Sequence, residues 1–123
     1  MRFIKFASIA DWLDAAADYI EKNGWWRGSL YGPNKNQACS IGAILRAGNL
    51  DTSAQDAKEV REVCAVLMIA VNGRPLKDSM YATNEVASWN DDTANGARDR
   101  QDVLDMFRKA AKIDRAGFDP DAA

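Results

Sequence analysis

Thr52–Gly73, TSAQDAKEVREVCAVLMIAVNG, is the stretch whose reading decides the fold. Ala57, Val60, Cys64, Leu67 and Val71 recur at steps of three, four, three and four, the spacing of one face of an α-helix. Val63, Val66, Met68 and Ile69 widen that face until the C-terminal half is apolar nearly all round. A helix apolar on every side has to be enclosed by others, so this one is expected to be the central pillar of a helical domain. Ser53, with Asp56 in the capping-box place, predicts its start, and Asn72-Gly73 supplies the left-handed residue that ends it.

Upstream of the pillar, Ser8 with Asp11 reads as a capping box for a first helix whose inward stripe is Ile9, Trp12, Leu13, Ala16 and Ile20, stopped by Asn23-Gly24. The other side of that helix carries Asp11, Asp14, Asp18 and Glu21 in register. Four carboxylates in a row are either a solvated face or a contact surface for a basic partner. Gly24–Gln37, GWWRGSLYGPNKNQ, cannot hold a helix and reads as a loop of about fourteen residues, longer than most connections in a small domain. Trp25 and Trp26 cannot both point inward from adjacent positions. One is expected to cover the core, and the other, taken as Trp26, joins Arg27 and Tyr31 as a candidate partner-binding surface. A short helix is expected from Ala38 to Ala47, with Ile41, Ile44 and Leu45 buried and Gly42-Ala43 small enough for another helix to approach.

Downstream, RPLKDSMYAT (74–83) reads as a surface connection in which Leu76, Met80 and Tyr81 are available to pack. Thr83 is expected to cap a brief helix, NEVASW, with Val86 and Trp89 on one face. After a loop over 90–98, Asp99 and Asp102 repeat the capping-box spacing ahead of a last helix striped by Val103, Leu104, Phe107, Ala110 and Ala111. No segment alternates with period two. The expected fold is all-α: a compact single-domain helical bundle spanning 1–123, with four main helices, one or two short ones, and loosely held ends at 1–7 and 118–123.

Composition fits this picture. A chain of 123 residues buries roughly two-thirds of its unfolded surface, enough for a core without staples. Hydrophobic and charged fractions of 47% and 28% with a net charge of −2 describe an ordinary globule, and the uncharged run through Cys64–Gly73 is too short to span a bilayer. Two cysteines, Cys64 on the buried face, point to free thiols in a reducing cytoplasm. The absence of histidine excludes Ser-His-Asp and Cys-His catalysis and HExxH zinc chemistry within one chain. Scattered basic residues leave no electrostatic footprint for direct nucleic-acid binding, and neither GxxxxGK nor GxGxxG occurs.

Two local patterns bear on chemistry. Counting Asp91 as the first position of a calcium loop puts Thr93, Asn95 and Asp102 at ligand positions, but Asp102 is shorter than the usual glutamate and no second loop exists. The plainer account is an Asx turn at Asn90-Asp91 with Asp99 as a helix cap. Cys39 sits where a helix start could lower a thiol pKa, yet no base is present, and a packed small residue is the simpler reading.

Asn23-Gly24-Trp25, then Ala38-Cys39-Ser40-Ile41-Gly42-Ala43, then Val86-Ala87-Ser88-Trp89-Asn90-Asp91, followed by a capped helix from Arg98 to Lys109, resemble a family of small proteins of unknown function from tailed phages and actinobacteria. The shared pattern is Gly-Trp, Cys-x-x-Gly-Ala and Trp-Asn-Asp, in that order. The resemblance implies a cytoplasmic, compact, mostly helical protein and supplies no catalytic residues. The adjacent second tryptophan and the loop over 92–97 depart from it.

These readings converge on one expectation. Trp25, Cys39, Trp89, Asn90 and Asp91 all fall at helix ends and loops and gather as one cluster, with Trp89 on the Cys39 helix and Asn90 or Asp91 bonded to the backbone of the 24–37 loop. The cluster is either scaffold or the wall of a pocket. The expected function is a non-enzymatic interaction protein without cofactor, a phage accessory factor that binds a host protein, in its sharpest form a nucleic-acid or defence enzyme whose basic cleft accepts the acidic stripe. The alternative is a small-molecule or nucleotide-binding domain, or weak enzyme, with a pocket around Cys39 and Trp89.

Overall fold

The computed structural model describes residues 6–117 and contains five α-helices: α1 (Ile9–Asn23), α2 (Ser40–Ala47), α3 (Lys58–Asn72), α4 (Ala82–Asp91) and α5 (Arg100–Arg115). Short 3-10 turns precede α3 at Thr52–Ala54 and α4 at Ser79–Tyr81. The protein is a single all-α domain, and no strand is formed among the described residues. Of the ends expected to be loosely held, 1–5 and 118–123 lie outside the described residues, while Phe6 stacks on Trp12 at 5.9 Å between ring centroids.

The termini of α1 and α5 are set as the sequence dictates. Ser8 accepts from the Asp11 N–H at 3.1 Å, and Asp99 accepts from the Asp102 N–H at 2.9 Å, each satisfying a donor that the first helical turn leaves open. α3 differs at its start. It begins at Lys58 without a side-chain cap, because Asp51 captures the Ser53 N–H at 2.9 Å and turns Thr52–Ala54 into a separate element, which takes Ser53 out of the helix it was expected to cap. Its end is as expected: Gly73 adopts φ 77° and returns its N–H to Ile69 O at 2.8 Å.

α3 packs against each of the other four helices and buries Val60, Val63, Cys64, Leu67 and Ala70 among them. Each fully buried aliphatic side chain stabilises the fold by about 1.5–3 kcal/mol relative to exposure. The enclosure is incomplete, since Ala65, Val66 and Val71 stay half-exposed. The most extensive helix pair is α1 with α5, whose inward stripes meet through Leu13, Ala17, Phe107 and Ala111 at the core.

Two further boundaries move. Cys39 is the N-cap of α2 rather than a first-turn residue, its sulfur accepting from the Gly42 N–H at 3.3 Å. α4 starts before Thr83 and continues through Asn90 and Asp91. Thr83 does not cap it; its buried hydroxyl donates to Gln55 O at 2.9 Å and ties α4 to the approach to α3.

Candidate functional site

The 24–37 loop is folded back on itself at a single residue. Ala38 donates its N–H to Gly24 O at 3.1 Å and accepts from the Trp26 N–H at 3.0 Å, while Cys39 N–H donates to Leu30 O at 2.9 Å. Isolated bridges therefore join Ala38 to both Trp25 and Tyr31, closing a compact loop whose ends are adjacent. Gly42 permits this closure: a Cβ there would collide with Leu30 O. At Gly42 the expected close approach is thus made by loop backbone.

The loop is fastened by Asn90, a fully buried side chain in the last turn of α4. Its Oδ1 accepts from the Trp25 indole at 2.8 Å, from Ser40 N–H at 2.9 Å and from Ser40 Oγ at 2.7 Å. Its Nδ2 donates to Trp26 O at 3.1 Å and to Asp91 Oδ1 at 2.9 Å. Asp91 Oδ1 also accepts from the Gly28 N–H at 2.9 Å. One amide thus joins the loop, the start of α2 and the end of α4, and every buried side-chain nitrogen and oxygen among the described residues has a partner. Asn90 and Asp91 are bonded to the loop backbone, and Trp25 and the Cys39–Ser40 step meet them. Trp89 stands apart, on the other flank of α4, beside Met68 and Val71.

Trp25 is the inward tryptophan. Arg27 stacks on its ring at 4.8 Å, donates from Nε to Asn90 O at 3.3 Å, and donates from Nη2 to Ala97 O. Arg46 lies over Tyr31 at 3.9 Å and donates to Tyr19 Oη at 2.8 Å, which in turn donates to Asn36 O at 2.7 Å. Burial raises the Tyr31 pKa, with Arg46 pulling it back. Trp26 is half-buried, its indole donating to Ser29 Oγ at 3.1 Å. Trp26, Arg27 and Tyr31, the expected partner surface, are each half-buried, with the Trp26 indole bonded within the loop and Arg27 bonded to the carbonyls of Asn90 and Ala97.

The acidic face of α1 is also engaged from within. Arg108 pairs with Asp14 at 2.9 Å and Asp18 at 2.6 Å and lies 3.9 Å from Glu21, while Arg115 pairs with Asp11 at 2.8 Å and Asp14 at 2.7 Å. Burial raises the Asp14 pKa, but the hydrogen bonds and charges of Arg108 and Arg115 outweigh it and hold the carboxyl below its ordinary value. Two arginines of α5 thus lie along the row of four carboxylates, of which Asp18 and Glu21 keep 69% and 64% of their side-chain surface exposed.

The stretch from Asp91 to Asp102 is closed by bonds within the chain. Asp92 turns the chain by accepting from Ala94 N–H at 2.9 Å and Asn95 N–H at 3.1 Å, and Gly96 passes so near Trp89 O that no side chain would fit. Asp91 faces the 24–37 loop instead of Thr93 and Asn95, and Asp102 pairs with Arg98 at 2.9 Å. No metal-binding group of three acidic or cysteine side chains is gathered among the described residues. The calcium-loop geometry of Asp91, Thr93, Asn95 and Asp102 is therefore not formed, because Asp91 is bonded to Gly28 and Asp102 to Arg98.

Cys39 is 6% exposed, and its thiol pKa is raised by burial and, more weakly, by the nearby Asp91 charge, against the lowering effect of the Gly42 and Ile41 N–H groups. Such a thiol stays protonated at neutral pH. Cys64, fully buried, is pushed up to about 12 by desolvation. Both are free. Cys39 lines a groove of about 190 Å³ with Leu30, Ile41, Ala87 and Asp91, and Trp89 lines a different one of about 200 Å³. The two do not share a pocket.

Sequence reasoning missed Ser40, Arg108 and Arg115. The seven-residue spacing of Arg108 and Arg115, which matches the stripe on α1, was the available signal. It also placed Met80 and Tyr81 among residues available to pack, whereas they stand 58% and 55% exposed on the turn before α4.

These features define a class: a small all-α protein in which a long loop is latched to two helices by one buried amide. The chain belongs to a family of unknown function (DUF6197), whose model matches residues 7–113. No curated protein and no solved structure matches it. No helix among the described residues is long and apolar enough to cross a membrane.

Proposed function

We propose that the chain is a non-enzymatic interaction protein, a phage accessory factor acting on a host protein in the host cytoplasm. The phage setting rests on the motif resemblance. The observation that carries the interaction reading is the pair Met80 and Tyr81, two large apolar side chains left in solvent at adjacent positions, on the turn that runs into the groove wall at Thr83 and Asn84. An exposed aromatic beside a preformed groove is the arrangement that protein interfaces use as an anchor. The contact surface of this proposal is therefore the α4 side, and not the ion-paired stripe of α1. A protonated Cys39 and the lack of histidine favour binding over catalysis. The separate grooves at Cys39 and Trp89 weigh against a single small-molecule pocket between them.

A photo-cross-linking residue placed at Tyr81, and separately at Asp18, tests this in host cells. A protein adduct from position 81 and none from position 18 is expected. An adduct from position 18 alone would return the contact to α1, and none from either would remove the interaction reading.

A further inference from the structure

The groove beside Cys39 has the chemistry of a receptor for one particular side chain. Leu30, Ile41 and Ala87 with the protonated sulfur of Cys39 supply its apolar lining, uncharged polar side chains such as Gln55 and Asn84 the remainder, and its volume is about 190 Å³. One charge lies on its wall, the carboxylate of Asp91. Asp91 Oδ1 is saturated by the N–H groups of Gly28 and Asn90, each at 2.9 Å, which fix the carboxylate's position. Among the described residues Oδ2 accepts no hydrogen bond, and Asp91 forms no ion pair. The cation that would naturally serve it, Arg27, is turned to Trp25, Asn90 O and Ala97 O.

A partly apolar groove that carries one solvent-exposed carboxylate with a free oxygen fits an aliphatic stem that ends in a cation. The two side chains of that kind differ in how they meet a carboxylate. A guanidinium favours both oxygens at once, whereas an ammonium is a point charge that one oxygen can satisfy. With Oδ1 already committed, only Oδ2 is open. We propose that this groove takes a lysine side chain of the partner protein, its methylenes over Ala87 and Ile41 and its ammonium on Asp91 Oδ2. The inference rests on the reading that the α4 side is the partner surface and names what that surface recognises.

The test is a titration of the intact protein with Nα-acetyl-lysine methylamide, followed by amide chemical shifts, alongside the norleucine and arginine counterparts. Saturable shifts at Asn84, Ala87 and Cys39 in the millimolar range are expected, with norleucine and arginine at least about tenfold weaker. Asp91→Asn keeps an acceptor for Gly28 and should remove the preference for lysine over norleucine. Ala87→Leu, which fills the trough without touching Asp91, should abolish binding of both. Equal affinity for norleucine, a preference for arginine, shifts confined to other surfaces, or no saturation would each overturn the proposal. A cross-link at position 81 that persists while lysine fails would overturn this inference alone. Lysine binding without any cross-link would overturn the interaction reading and leave the groove's selectivity standing.

Discussion

The 24–37 loop and the α1–α5 seam are both held to distant parts of the chain by polar groups, in opposite manners. The loop hangs on one amide sealed from water, whose oxygen serves Trp25 and Ser40 and whose nitrogen serves Trp26 and Asp91. The seam is edged by ion pairs at the surface, with Arg108 and Arg115 reaching Asp11, Asp14 and Asp18 at 2.6–2.9 Å. Water can replace every bond of the seam if a partner is lost, whereas the two Ser40 bonds at the centre of the latch are buried and have no substitute. The energetic weight therefore runs against the number of charges: the uncharged, buried attachment is the stronger one.

The largest expected effect tests that ordering. Asn90→Ala leaves the buried Ser40 N–H and the half-buried Trp25 indole without an acceptor, and losses of about 1–3 kcal/mol for each stranded group put the variant about 2–5 kcal/mol below the native protein. Chemical denaturation followed by tryptophan fluorescence measures this. A loss under about 1 kcal/mol would mean that water reaches these donors and that the latch is no stronger than the seam.

Gly42→Ala sharpens the comparison by its sign. Replacing a helical glycine by alanine normally adds up to about 1 kcal/mol, but here the methyl would meet Leu30 O, and overpacking of this kind costs about 1–3 kcal/mol. Net destabilisation by about 1–2 kcal/mol, read by thermal melting, is expected. A gain in stability would show that the loop does not rest on α2.

How far each region was legible follows from the same contrast. Helix periodicity is local, so the stripes of α1, α3 and α5 and their caps at Ser8, Gly73 and Asp99 could be read directly from neighbouring residues. The meeting of Trp25, Asn90 and Asp91 was anticipated because all three lie at helix ends, but their bonding pattern joins residues more than sixty positions apart and no spacing rule encodes it. The acidic stripe shows the same limit, since nothing in the spacing along α1 signals that Arg108 and Arg115 of α5 are laid against it. Ser53 and Thr83 misled more locally, since Asp51 and Asp78 captured the turns in front of them.

Arg108→Ala probes the other side of the comparison. Arg108 is 39% exposed in its side chain, so solvent screening keeps the expected loss to about 1 kcal/mol or less in urea denaturation. A loss approaching that of Asn90→Ala would reverse the ordering of the two regions.

Acid has the smallest expected effect, and its direction is fixed. A carboxyl whose native pKa is depressed stabilises the fold fully above its ordinary value and loses that contribution as pH falls through its native value. Asp14 is such a group, so stability should fall as pH drops below about 4, and the fall should shrink in Arg108→Ala, where one of its two arginines is gone. Melting temperature against pH for both proteins measures the difference. Identical acid profiles would mean that the Arg108 pair contributes nothing in solution.

Hydrogen exchange in the unmodified protein examines the latch without any risk that a variant fails to fold. The Trp25 indole N–H and the Ser40 amide should exchange as slowly as the core amides of α3 at Leu67 and Met68, opening only when the whole domain unfolds. Exchange of either at the rate of the exposed loop tip at Lys35 and Asn36 would contradict the account, because the loop would then be leaving Asn90 while the helices stay folded.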